Sequence, residues 1–252
     1  MVKYIAVSNM KGGVGKTSTA TNLAHALVRL GRGPIVLADL DEQGGATIIL
    51  GQNNKGSGIA DIIGKRGATP AEVAVEVHLG RGERLTLLGG GPALNRIPLP
   101  DSDDILAKAL SGWLGRIKAK VCIFDCPPAL TPLTRSAIAS AGSGGLLLVP
   151  LSLGILELKG LGWIGEVASD KGATTALVPT MVDHRTEFSE AILDLVKQDH
   201  SKERLAPSIP ISSRLRQAQT HGRTILDFDP YAPASKAFLE LGKWISSQLS
   251  IS

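Results

Sequence analysis

The stretch Ser8-Asn9-Met10-Lys11-Gly12-Gly13-Val14-Gly15-Lys16-Thr17-Ser18-Thr19 gathers the groups needed to hold a polyphosphate. Glycines let backbone amides turn inward without a Cβ in the way, and amides at a helix N-terminus cradle phosphate oxygens. In such a loop Lys16 reaches the β- and γ-phosphates and the Thr17 hydroxyl binds Mg²⁺. The nucleotide-contacting run is therefore Lys11, Gly12, Gly13, Val14, Gly15, Lys16, Thr17 and Ser18. The ordinary phosphate-loop pattern places glycine six positions before the lysine, whereas here that position is Met10 and a second lysine, Lys11, opens the loop.

Two acidic segments could complete the chemistry. In Ala38-Asp39-Leu40-Asp41-Glu42-Gln43-Gly44, Asp39 and Asp41 share a face if the preceding strand continues through them, so both can turn toward a nucleotide. In Val121-Cys122-Ile123-Phe124-Asp125-Cys126-Pro127-Pro128, an apolar strand ends in Asp125, a position from which a carboxylate holds Mg²⁺ through water.

The elements that must position these groups are legible as short apolar runs alternating with helical patterns. Tyr4–Val7, Ile35–Ala38, Leu85–Leu88, Val121–Phe124, Leu146–Val149 and Ala176–Val178 read as buried strands, and Thr17–Leu30 as a helix with Leu23, Ala26, Leu27 and Leu30 on one side. Strands apolar on both faces and separated by helix-length segments predict an α/β fold: a twisted, mostly parallel sheet with helices on both faces, in one domain spanning 1–252. Loops are expected at Gly51–Gly58 and at Ile97–Pro100. The loop's position between the first strand and the first helix is the context a phosphate-binding motif requires.

Composition narrows the class. Hydrophobic residues make up 43% and charged residues 20% of the 252, enough apolar content for a sizeable core. No apolar run approaches the roughly 18 residues of a membrane span, and the N-terminus lacks a signal peptide, so a cytoplasmic location is expected. Two cysteines four residues apart, with no His or Cys beside them, form neither a disulfide framework nor a zinc pattern. The net charge of +4 permits a polyanionic partner without requiring one. Between Lys202 and Arg223 stand Lys202, Arg204, Arg214, Arg216 and Arg223 against the single acid Glu203, which could form a phosphate-contacting face.

With its leading Lys11, the loop resembles the deviant Walker-A ATPases, a P-loop NTPase group in which two subunits sandwich two ATP molecules. The resemblance implies ATP and Mg²⁺ as cofactors, a homodimer, and a Lys11 that crosses to the partner's nucleotide. The acidic segments resemble that family's Asp-x-Asp-Pro-Gln-Gly and Asp-x-Pro-Pro patterns, with Glu42 in place of proline. By that match Asp41 orients or deprotonates the attacking water, Asp39 supports the metal shell, and Lys11, Lys16 and Asp41 form the catalytic set. Farther along, Thr180-Met181-Val182-Asp183-His184-Arg185-Thr186, followed by an amphipathic helix from Glu187, and the segment Ile209 to Pro230 resemble the ParA partition ATPases, with Gln217 and Gln219 replacing the usual Glu and Pro.

That likeness implies Thr180, Met181 and Pro210 near adenine, and Arg185 and Arg214 on a face gripping DNA backbone. Arg216 and Arg223 join the DNA-binding set on composition alone. No helix-turn-helix precedes the first strand and none is apparent later, so DNA binding is expected to be non-specific, on the nucleoid. A ParB-like partner is expected to stimulate a weak intrinsic ATPase during plasmid or chromosome partition. Alternatives within the superfamily are positioning of a chemoreceptor cluster or microcompartment, a MinD-like membrane-surface ATPase, and an iron–sulfur relative. The C-terminal stripe of Phe238, Leu241, Trp244, Ile245 and Leu249, with only Lys236 and Lys243 basic nearby, reads as core packing, so no membrane partner is expected.

Overall fold

The computed structural model describes residues 1–53, 58–64, 66–142, 144–153, 161–187, 189, 191, 194, 196 and 204–251. Strands β1 (Lys3–Val7), β2 (Ile35–Asp39), β3 (Val75–His78), β4 (Arg84–Leu88), β5 (Val121–Asp125), β6 (Leu146–Ser152), β7 (Thr175–Thr180) and β8 (Arg204–Leu205) form one sheet in the order β3-β4-β2-β5-β1-β6-β7-β8. Every pairing is parallel except β3 with β4. Because successive side chains of a strand alternate between faces, the sheet has two cores. Ile5, Val7, Leu37 and Ile123 point to one side, and Ala6, Val36, Phe124 and Leu147 to the other.

The first core is covered by α1 (Lys16–Arg29), with the short α2 (Gly45–Ile49) beside it. The second is covered in turn by the short helices α3 (Ile59–Ile63) and α4 (Pro70–Val73), then α5 (Ile105–Arg116) and α6 (Pro132–Ala141). A seventh helix, α7 (Leu161–Asp170), links β6 to β7, and α8 (Ser213–Thr220), α9 (Ile225–Phe228) and α10 (Pro233–Gln248) close the chain. The C-terminal stripe is core: Phe238, Leu241, Ile245 and Leu249 are buried with α1, and a Cβ on Gly242 would sit 3.0 Å from Leu30. Among the described residues no helix is long and apolar enough to cross a membrane.

The predicted strands are all present, and two edge strands that the pattern did not announce join them. In β3 only Val77 is buried, and the exposed Glu76 pairs with Arg84, which gives the edge the charges that discourage further strand pairing. The expected Gly51–Gly58 loop and the amphipathic helix from Glu187 fall partly outside the described residues, and Lys202 and Glu203 wholly so.

Candidate functional site

The carboxyl ends of β1, β2, β5, β6 and β7 meet at one rim, and the glycine-rich loop leaves β1 there. Gly13 (φ +77°) and Gly15 (φ +88°) adopt left-handed backbone that other residues resist. Gly15 caps α1 without a side-chain bond, so the first amides of α1 remain available to an anion. Two neighbouring strands hold the loop in shape. Asn9 donates to the Pro150 carbonyl of β6 at 2.8 Å and accepts from the Lys11 amide at 3.0 Å. The Thr180 hydroxyl at the end of β7 donates to the Val14 carbonyl at 2.8 Å. Lys11 lies at the exposed outer edge of the loop, while Lys16 is buried, 7% exposed, and donates to the Lys11 carbonyl at 2.7 Å. Burial lowers the Lys16 pKa, and the carboxylates of Asp125 and Asp41 oppose that shift.

The three acidic residues divide into different roles. Asp39 ends β2 fully buried, with Oδ2 accepting from the Thr47 amide (2.9 Å) and hydroxyl (2.8 Å) and Oδ1 from the Asp41 amide (3.1 Å). The expectation that Asp39 and Asp41 face the nucleotide together is therefore corrected. The strand stops at Asp39, whose carboxylate is committed to holding the turn that carries Asp41. Asp39 thus positions Asp41, and its charge stands beside the Asp125 carboxylate, with which it is in register. Asp41, beyond the strand, accepts from the Gln43 amide at 2.9 Å and lines the cavity over the glycine loop. Asp125, in register with Asp39, is fully buried; the Thr17 hydroxyl approaches its carboxylate, but neither oxygen has a hydrogen bond of good geometry. Burial and then the neighbouring Asp39 charge raise its pKa well above the usual range, while the nearby Thr17 hydroxyl and Lys16 ammonium work against the rise.

An orphaned buried carboxylate beside a hydroxyl and an ammonium fits a divalent cation shared with phosphates. Thr17 faces Gly45, where a Cβ would stand 3.3 Å from the Thr17 hydroxyl, so the space beside that hydroxyl is kept open. Among the described residues no group of three His, Cys, Asp or Glu is placed to hold a metal ion. Cys122 and Cys126 are buried, and burial pushes both thiols up, away from the thiolate that cluster ligation requires.

Two adjoining cavities open at the rim. One, about 710 Å³, is lined by Gly12, Gly13, Lys16, Thr17 and Asp41. The other, about 270 Å³ and mainly apolar, is lined by Thr180, Met181, Ile209, Pro210, Leu215 and Phe238. A parallel bridge between Val182 and Pro210 brings the segments after β7 and after β8 together, which is how Thr180, Met181 and Pro210 come to share one wall.

The four arginines expected to touch DNA separate. Arg214 pairs with Asp229 (2.9 Å) and Arg223 with Asp227 (2.7 Å), and both guanidinium groups lie against Phe228, at 4.9 and 5.9 Å from its ring centre. Arg185 is bidentate to Asp183, at 2.7 and 2.8 Å, and holds that carboxyl down at about 2. Arg216 instead lines both rim cavities. Sequence reasoning missed Asn9, Thr47 and Gln219; the last donates to the Ser18 hydroxyl at 2.6 Å, and its only signal was the departure from proline.

A family model described as an AAA domain matches residues 2–170. The chromosome-partitioning ATPase Soj of Thermus thermophilus is 30% identical, over 98% of this chain and 97% of that protein. The chain belongs to the ParA/MinD family of partition ATPases. Soj of Bacillus subtilis, a sporulation initiation inhibitor protein, is 29% identical over 98% of this chain and 99% of its own. Among solved structures, MinD of Pyrococcus horikoshii with Mg-ADP superposes with a TM-score of 0.79 at 20% identity, covering 97% of this chain and 96% of that one. The family model spans the doubled-lysine loop and both acidic strand ends. The family model ends at residue 170, ahead of the arginine pairings and Gln219, while the matches to the Soj proteins run over 98% of the chain.

Proposed function

We propose that the protein is a partition ATPase that binds Mg-ATP at the rim, pairs with a second copy around the nucleotide, and in that state grips DNA without sequence preference. The observation that carries this reading is the buried, unpartnered Asp125 carboxylate beside Thr17 and Lys16, beneath a glycine loop that begins with Lys11. Thr17 and Asp125 would hold Mg²⁺, which when bound neutralises charge on the phosphate oxygens. Lys16 and the α1 amides bind the phosphates, and the apolar cavity bounded by Thr180, Met181 and Pro210 takes adenine. Asp41 accepts a proton from the attacking water, and Lys11 supplies a charge-assisted contact to the partner's triphosphate.

The ion pairs around the arginines set the strength of DNA binding. Each phosphate must compete with Asp229, Asp227 or Asp183 for its guanidinium, so one protomer binds modestly and sequence-independently. Two protomers joined by ATP present two such faces, and avidity then makes the complex stable. Loss of the γ-phosphate removes the contacts that favour the pair, which releases DNA. A ParB-like partner that accelerates a slow intrinsic hydrolysis would turn this cycle into directed movement of a plasmid or chromosome. The test is DNA binding measured with ATP, with ADP and without nucleotide across a salt series. ATP-dependent binding with a steep salt slope is expected, and affinity independent of nucleotide would overturn the proposal.

A further inference from the structure

Helix α8 carries two arginines two residues apart, and a helix turns about 100° per residue, so they stand about 200° apart on opposite faces. On one face Arg214 bonds Gln217 (3.1 Å) and Asp229, beside Phe228. On the other, Arg216 shares the wall of the rim cavities with Gln219, and with Thr220 in the larger one, at the three- and four-residue spacing that puts side chains together. Gln219 ties this face to α1 through the Ser18 hydroxyl at 2.6 Å, and leaves the Ser18 proton free to be donated elsewhere. The side chains that neutralise Arg214, Arg223 and Arg185 have no counterpart at Arg216, which makes no ion pair among the described residues.

The geometry points to Arg216 as a nucleotide-binding residue rather than a DNA contact: a cation at the junction of the base and phosphate cavities that engages the phosphate nearest the ribose, on a helix whose other face carries Arg214. This rests on the nucleotide reading of the rim and adds to it a residue that the composition had placed on DNA. The site is selective for the charged part of the ligand, since Arg216 adjoins both cavities while the apolar wall takes the base. Anchoring through Gln219 and Ser18 holds α8 against the loop before ligand arrives, so the contact costs little ordering. It also places the nucleotide and the Arg214 face on one rigid helix, which links occupancy of the rim to presentation of the DNA-facing arginine.

The test compares wild type, R216A, R216K, R214A and K16A in binding Mg-ADP, adenosine and a short mixed-sequence duplex, the duplex at saturating Mg-ATP. R216A should bind Mg-ADP about tenfold more weakly, as expected for loss of one contact to a charged group, with the deficit shrinking at high salt. R216K should recover part of it, adenosine affinity should not change, and duplex affinity at saturation should fall for R214A but not for R216A. Unchanged Mg-ADP affinity in R216A, or an equal loss for adenosine, would overturn the assignment. Failure of wild type to bind Mg-ADP, or K16A binding it as well as wild type, would instead overturn the nucleotide reading itself.

Discussion

Asp125→Asn tests the central site through stability rather than turnover. Asp125 is fully enclosed, neither oxygen is hydrogen-bonded, and Asp39 and Asp41 add like charge. A buried polar group left without a partner costs about 1–3 kcal/mol, more when charged. The amide has nearly the same shape, carries no charge, and can donate toward the acidic neighbours. In the absence of nucleotide the variant should therefore be more stable by about 1–3 kcal/mol. For a chain of this size each kcal/mol moves the midpoint by about 2–4 °C, a rise of roughly 2–12 °C in thermal unfolding. With Mg-ADP that advantage should shrink by about 2.3 kcal/mol. A ligand at a hundred times its Kd stabilises by about 2.7 kcal/mol, and a variant that binds a hundredfold more weakly keeps only about 0.4 of that. Melting curves of both proteins with and without Mg-ADP would show the two effects side by side. A variant less stable than wild type without nucleotide, or one gaining as much as wild type from Mg-ADP, would refute the reasoning.

Asp41→Ala should bind Mg-ATP yet release phosphate at least a hundredfold more slowly, as loss of a positioned base implies, and sedimentation should find it retained as a pair in ATP; turnover at the wild-type rate would remove Asp41 from the reaction. Leu241→Ala, at a fully buried position between α10 and α1, should cost about 2–5 kcal/mol in urea unfolding, whereas a cost under about 1 kcal/mol would show that this face is loosely packed. Buried His25 has its pKa lowered, chiefly by burial, and at 2.7 Å its Nε2 donates to Glu83; burial pushes Glu83 up, but bonds from Arg29 and His25 outweigh it and hold it low. Below about pH 6.5 the unfolded chain takes up a proton that folded His25 refuses, so stability should fall with acid there, and the Glu83 contribution should go as pH drops through its lowered pKa. His25→Gln should flatten the upper part of that slope, and an unchanged profile would show that the proton goes elsewhere.

The central sheet was readable because β1, β2, β5 and β6 are buried on both faces, and burial on both faces leaves an uninterrupted apolar run. The edges were not. Val75–His78 buries only Val77, and Arg204–Leu205 is two residues long, so neither carries a periodic signal; partners six to twelve residues away on β4, or on β7, create them. The glycine loop was readable for a related reason, since its chemistry is local: the amides, Lys16 and Thr17 all lie within one turn. The apolar cavity was not local. Thr180 and Pro210 are thirty residues apart and meet only through the Val182–Pro210 bridge, so spacing alone could not join them and the family likeness did. The arginines failed in a third way. Composition counts Arg214, Arg216 and Arg223 alike, but helical phase turns Arg216 away from Arg214, and whether a cation is already neutralised depends on carboxylates that follow in α9 and the turn after it.

Asp39 and Asp125 show how far a pattern can go before geometry must decide. Both end buried strands, they stand in register, and burial raises the pKa of both. On sequence they are interchangeable as metal ligands. What separates them is the supply of donors. Asp39 receives three hydrogen bonds, one from the Asp41 amide and two from Thr47 in α2, and can stay buried without help, which makes it a strut for Asp41. Asp125 receives none, and native interiors seldom leave such a group unsatisfied. A cost of that kind persists where something outside the chain removes it. Beside Thr17 and Lys16, the proposed occupant is a cation arriving with phosphate. On the proposed reading the residue that holds the cation is the one the fold has left unsatisfied, and Asp39, which it has satisfied, aims its neighbour.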